Sequence, residues 1–291
     1  MFIAGWFSFE QMGTTAGDLI ACDLVSEWLK AYHISHDISL IHQFSNRKSV
    51  RWEDADASNY THVIFVCGPF GNGWPLTDFL EKFSNCKLVG INISLLESLD
   101  TWNPFFLLLE RDSSRSSNPD ITFLGPPPKI PVAGLILAHK QKEYGDRALH
   151  EKADDLIRQF IDGKEVSIVP IDTALEHNSY GLRTPGEVES LIAKMDLVIT
   201  TRLHGTVLSL KNGVPVIPID PINGGAKITR QVQTIGWPVL LPTETLSTEK
   251  IEQAFQYCLT PEAKTKAISC ASDAAKSLDQ SMKELLENLT K

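Results

Sequence analysis

Between positions 200 and 205 the chain reads Thr-Thr-Arg-Leu-His-Gly. A guanidinium that stays charged at any physiological pH therefore stands two residues from an imidazole that can exchange a proton near neutrality. Residues 197–200 are apolar enough for a buried strand, and 206–211 read as a helix closed by Asn212-Gly213, so both side chains belong to a strand-to-helix loop. The first backbone N–H groups of such a helix lack intrahelical partners and favour an anion, and Gly205 permits close approach. Arg202 can grip a carboxylate or phosphate through two parallel hydrogen bonds. A helix start favours neutral imidazole in the empty protein, whereas a bound dianion favours the protonated ring, so a docked anion would turn His204 into a general acid. A purely structural pair that caps the helix and ties down the loop is the alternative.

Other residues compete for attention. His177, in Glu176-His177, and His139, in His139-Lys140, each follow a strand pattern, and either could act as base for an attacking hydroxyl; a solvated or structural histidine is the plainer reading. Asp18 has the position of a helix N-cap. Asp112, beside Arg111 in a polar stretch, is either a substrate contact or part of a structural turn. There is no H-E-x-x-H, and no metal and no cofactor is expected.

The elements that must position these groups follow a repeating pattern. The run 2–7, a glycine loop at 13–18 and a helix carrying Leu19, Leu24, Val25, Trp28 and Leu29 on one stripe open the chain. Strands at 62–67 and 87–93 follow, the first running into the glycine-rich turn 68–73. Residues 111–128 are polar and end in Gly125-Pro126-Pro127-Pro128, which continues neither element and marks a domain boundary. The pattern then restarts with strands at 132–138, 166–171, 197–200 and 214–219. Helices are expected at 146–161, at 184–195 behind Thr184-Pro185-Gly186-Glu187, and at 206–211, 248–259 and 261–289. Continuous apolar strands separated by helices imply parallel sheets covered on both faces. The expectation is an α/β protein with domains at 1–125 and 126–291, the last helix packing back on the first domain.

With 291 residues, 43% of them hydrophobic and 22% charged, the composition is that of a globular protein. A net charge of −9 argues against nucleic acid and anionic membrane as partners, so an anionic ligand needs a local cationic cluster. The five cysteines form no C-x-x-C pair and read as reduced thiols of a cytoplasmic protein. No signal peptide and no membrane-spanning stretch is expected.

The stretch DLVITTRLHGTVLSLKNGVPVIPID, residues 196–220, resembles the signature of the polysaccharide pyruvyl transferase family, R-[LM]-H-[GA] between a buried strand and a helix followed by a G-x-P-x-I strand. Gly17-Asp18 is similar to that family's early N-x-G-D, with Thr15 where its Asn is expected. Arg111-Asp112 with Ser114 and Ser116 is similar to its R-D-x-x-S, and Lys227 to the lysine after its last core strand, with Gly224-Gly225 lengthening the loop before it. The resemblance implies two Rossmann-like domains facing across a cleft, as in glycosyltransferase-B folds, with the acceptor side in the first and the donor site in the second. It also implies transfer of the enolpyruvyl group of phosphoenolpyruvate, a co-substrate, onto a sugar of a cell-surface or exopolysaccharide precursor as a pyruvate ketal. The saccharide acceptor is compatible with a lipid-linked form. On this resemblance His204 is the proton donor, Arg202, Gly205 and Lys227 bind the donor, and Arg183 is a further donor-binding candidate. Two rivals remain: a nucleotide-sugar-dependent glycosyltransferase of similar two-domain fold, and a non-catalytic relative acting as a binding module.

Overall fold

A computed structural model describes residues 1–44, 48–127, 130–138 and 142–290. The chain divides into two compact units, Met1–Pro128 and Lys129–Lys291. The first runs β1 (Phe2–Gly5), α1 (Ala16–Ala31), β2 (Asp37–Ile38), β3 (His62–Val66), β4 (Pro69–Phe70), α2 (Leu76–Lys82), β5 (Lys87–Leu95) and β6 (Leu107–Asp112). All its strand pairs are parallel, in the order β2-β1-β3-β5, and both β4 and β6 also pair with β5. Alternation along the strands sorts the core into two layers. Phe2, Ala4, Val63 and Phe65 join Phe70, Phe79 and Phe83 on one face, while Ile3, Ile64 and Val66 meet Ala21, Cys22 and Val25 of α1 on the other.

The second unit runs β7 (Val132–Ile136), α3 (His150–Asp162), β8 (Ser167–Pro170), α4 (Pro185–Ile192), β9 (Leu197–Thr200), α5 (Leu203–Lys211), β10 (Val216–Asp220), α6 (Lys227–Ile235), β11 (Leu241–Pro242), α7 (Thr248–Cys258) and α8 (Pro261–Leu289). Its sheet is parallel throughout, in the order β11-β10-β9-β7-β8. Every residue of β9 and β10 is buried, as continuous apolar strands covered on both faces must be. Strand order reverses between β7 and β9, and in doubly wound sheets ligands collect beyond the carboxyl ends of the strands at that point. Both units are Rossmann-like α/β layers. Among the described residues, no helix is long and apolar enough to cross a membrane.

Several local expectations shift. Asp18 is not the N-cap of α1: Thr15 is, and Asp18 at N3 accepts the Thr15 N–H at 2.8 Å while Thr15 Oγ1 accepts the Asp18 N–H at 3.4 Å. This reciprocal capping box satisfies two otherwise orphaned donors. The stretch from Arg111, expected to be irregular, opens as the end of β6, because Leu107, Leu108 and Leu109 extend the pairing with β5 up to Asp112. α3 begins at His150 rather than 146.

Candidate active site

Only Thr201 and Arg202 separate β9 from α5, and Arg202 is the helix N-cap. Both threonines bolt this turn to β7. Thr200 Oγ1 donates to the Ile136 carbonyl at 2.8 Å and accepts the Arg202 N–H at 3.0 Å, and Thr201 Oγ1 accepts the Ala138 N–H at 2.8 Å. Gly205 is buried one turn further on. A Cβ there would lie 2.2 Å from Thr200 Oγ1 and 3.1 Å from Ile136 Cγ2. The absent side chain thus lets α5 approach the sheet closely.

A cavity of about 290 Å³ opens where β7, β9 and β10 end, lined among others by Thr201, Arg202, His204, Tyr144, Asp220 and Lys227. Two helices start on it, α5 with Arg202 and His204 and α6 with Lys227. Helix N-termini carry partial positive charge, so the start of α5 converges on the same space as the three basic side chains, while the start of α6 is capped by the Asp220 carboxylate.

Each side chain is held differently. The Arg202 guanidinium donates to Asp172 Oδ1 at 2.8 Å and to Thr173 Oγ1 at 3.3 Å. Its side chain keeps 24% of its surface exposed, so it is anchored but still reaches solvent. Burial pushes the Asp172 carboxyl up, but the Ala174 and Ser179 N–H groups and the Arg202 charge outweigh it and hold the acid below its ordinary value. His204 is exposed, facing the cavity rather than the sheet. Lys227 is half exposed, its Nζ 3.9 Å from Glu143 Oε1 and 5.6 Å from the centre of the Tyr144 ring.

The loop that carries Lys227 is organised by Asp220, which is 1% exposed. Its carboxylate accepts the Ile222 N–H at 3.2 Å, the Ala226 N–H at 2.8 Å, the Thr229 N–H at 3.0 Å and the Thr229 hydroxyl at 2.6 Å. Arg147 closes the outer side, donating from Nε and Nη2 to the Asn223 carbonyl at 3.0 and 2.8 Å. Gly224 and Gly225 take φ of +78° and +73°, a region open to glycine at little cost, which lets the lengthened loop fold back.

The structure therefore brings Arg202, His204 and Lys227 to one cavity. Other expected site residues lie apart from its lining. Arg183 is 83% exposed and paired with Glu187 at 2.9 Å, acting at the start of α4. His177 is exposed in the loop that begins at Asp172. Asp112 belongs to the first unit, where it accepts from Ser94 Oγ at 2.7 Å and from Arg111 Nε at 3.3 Å; Arg111 also pairs with Asp120 at 3.0 Å. Asp18 serves the α1 cap in the same unit, and His139 lies outside the described residues. Two residues that the expectations omit, Asp172 and Asp220, do most of the holding. The sequence marks both with the same tripeptide, Pro170-Ile171-Asp172 and Pro218-Ile219-Asp220, each placing an acid at or just beyond the end of a strand. Among the described residues, no group of three or more His, Cys, Asp or Glu is placed to hold a metal ion.

No curated protein matches the chain. Solved structures similar to it include the spinosyn rhamnosyltransferase SpnG complexed with spinosyn aglycone, at 10% identity and TM-score 0.36 over 97% of this chain and 99% of that one. The glycosyltransferase SnogD from Streptomyces nogalater gives 12% and 0.32 over 96% and 98%. The UDP-GlcNAc 2-epimerase of Methanocaldococcus jannaschii gives 10% and 0.34 over 90% and 93%. Residues 107–223, from β6 to the loop beyond β10 and including Arg202 and His204, match the model of the polysaccharide pyruvyl transferase family, and it is to this family that the chain's resemblance is shown.

Proposed function

We propose that the chain transfers the pyruvyl group of phosphoenolpyruvate to two hydroxyls of a saccharide acceptor, forming a cyclic ketal and releasing phosphate. The observation that carries this reading is the convergence of Arg202, His204 and Lys227 with the start of α5 on a cavity of about 290 Å³. That volume sits at the small end of ligand pockets, which suits a compact anion better than a nucleotide sugar. In this reading Arg202 holds the donor's carboxylate, pre-aimed by Asp172, and Lys227 with the first N–H groups of α5 holds the phosphate. His204 delivers a proton to the methylene carbon while a sugar oxygen bonds to the adjacent carbon. A second hydroxyl then displaces phosphate from that carbon, closing the ketal, and the phosphate leaves with its bridging oxygen; of the two hydroxyl protons released, one replaces the proton given up by His204 and the other leaves on the phosphate. The reaction consumes no redox equivalent and needs no cofactor beyond the co-substrate. We place it in the cytoplasm, on an exopolysaccharide precursor that is free or lipid-linked, with the first unit serving the acceptor.

The test is release of inorganic phosphate by the purified chain from phosphoenolpyruvate with pooled saccharide acceptors. Acceptor-dependent release that disappears in His204→Ala supports the reading. No release with any acceptor, alongside donor binding, leaves a binding module instead.

A further inference from the structure

A second cavity of the same unit, of about 420 Å³, is lined among others by Leu137, Asp154, Arg158, Asp172 and Tyr180. It adjoins the first: Ala138 borders both, and Asp172, which lines the second, is the acid that holds Arg202. Its floor is the outer edge of the sheet. Leu135 of β7 pairs with Pro170 of β8, Leu137 and Ile168 lie on the same side, and none of the four is fully buried. α3 buries Ala153, Ile157 and Phe160 and turns Asp154 and Arg158, one helical turn apart, to the cavity. Asp154 differs from the other two acids of these loops and strands. Asp172 and Asp220 each collect several donors, whereas Asp154 Oδ1 is sealed among its neighbours with no hydrogen-bond partner. Burial pushes its carboxyl up, and the Arg158 charge offsets this only in part. A carboxylate held there against its own hydration is better explained by a ligand than by packing.

We propose that this second cavity binds the sugar ring that receives the pyruvyl group, an inference that rests on reading the Arg202–His204 cavity as the donor site. Its walls carry one carboxylate, Asp154, and one guanidinium, Arg158, besides an Asp172 already paired with Arg202. The charges balance, so the site has no excess of cations to hold a phosphate or a nucleotide, unlike the cavity at Lys227. It offers instead a strong acceptor and a fork of donors, which neighbouring hydroxyls of a neutral sugar satisfy together. The apolar floor and the Tyr180 ring, 55% exposed, suit the C–H face of a pyranose. The volume is within the range of small-molecule sites. Because the two cavities meet at Ala138, a ring in the second presents its hydroxyls toward a donor in the first. Asp172 then serves both, aiming Arg202 at the donor while bordering the acceptor ring. Only the reacting ring belongs to this cavity; the rest of the saccharide stays with the first unit.

The experiment is saturation-transfer NMR of the methyl pyranosides of glucose, galactose and mannose with the full chain, with and without phosphoenolpyruvate, beside the thermal shift that phosphoenolpyruvate itself gives. The variants are Asp154→Asn and Tyr180→Ala. Tyr180 is exposed, and asparagine keeps the shape of Asp154 while removing a desolvated charge, so both variants are expected to melt like the parent. The parent is expected to bind at least one glycoside and each variant to bind it at least ~10-fold more weakly, with the phosphoenolpyruvate shift unchanged. A parent that binds none of the three overturns the proposal, and so does a variant that binds like the parent. Equal loss of glycoside and phosphoenolpyruvate binding also overturns it, since that marks damage common to both cavities. Glycoside binding that needs Asp154 and Tyr180, in a chain that phosphoenolpyruvate does not stabilise, supports the sugar site and overturns the donor reading instead.

Discussion

Asp172 Oδ1 accepts a hydrogen bond from Arg202 Nη1 at 2.8 Å, tying the loop after β8 to the N-cap of α5. The pair spans β8 and β9, which flank β7 on opposite sides, so it links two loops on either side of the point where strand order reverses. Replacing Asp172 by Asn keeps the shape but removes the charge that orients the guanidinium. The expected outcome is a donor Kd raised roughly 10-fold, read by calorimetry, with stability lowered by about 1–3 kcal/mol. Because the folded-state acid sits below its ordinary value of 3.8, its contribution to stability is present above pH 3.8 and is lost as pH falls through the lower folded value. The gap between parent and variant is therefore open at pH 6 and closes in acid; a gap independent of pH would contradict the assignment.

His204→Ala removes an exposed side chain, so the melting temperature is expected to stay within the small range of surface substitutions. Turnover is expected to fall about 10²–10⁴-fold while donor binding changes little. Steady-state phosphate release beside donor titration separates the two, and near-parental turnover would remove His204 from the chemistry.

Gly205→Ala puts a methyl group 2.2 Å from Thr200 Oγ1, a distance that packing cannot tolerate. α5 must move off β9, costing about 1–3 kcal/mol and displacing Arg202 and His204 together. Denaturant unfolding checks the first effect and activity the second, and both are expected to be lost in the same variant.

Glu110 tests the first unit. Arg115 holds it down to about 2, overcoming the burial that pushes it up, and Ser113 and Ser116 add hydrogen bonds. With an ordinary value of 4.5, its contribution is complete above that pH and lost as pH falls toward about 2. Glu110→Gln should flatten this part of the acid unfolding curve; an unchanged curve would show that the pairing adds nothing.

The parallel-sheet pattern and the Arg202–His204 turn are legible in the chain because buried strands write themselves as apolar runs and helix starts as Thr-Pro-Gly-Glu or Arg-Leu-His-Gly. Single-residue placements are not. Thr15 and Asp18 are both competent caps, and only the geometry of the turn decides between them. β6 hides because Leu107–Leu109 runs straight into polar Arg111-Asp112, so the composition shift masks the last paired residues. Asp172 and Asp220 escape because an acid after a strand reads as a loop residue, whereas here burial forces each carboxylate to collect several donors. At Gly205 the sequence does not announce that the space of the absent side chain is taken by Thr200.

The central claim is that the cavity at Arg202 and His204 takes a small phosphorylated enol acid. Thermal unfolding of the purified chain with phosphoenolpyruvate, and separately with uridine and guanosine diphosphate sugars, tests it most directly, because a ligand at 100 times its Kd adds about 2.7 kcal/mol to the folded state. The account predicts a rise with phosphoenolpyruvate that is lost in Arg202→Ala and absent with the nucleotide sugars. A rise with a nucleotide sugar and none with phosphoenolpyruvate would contradict it.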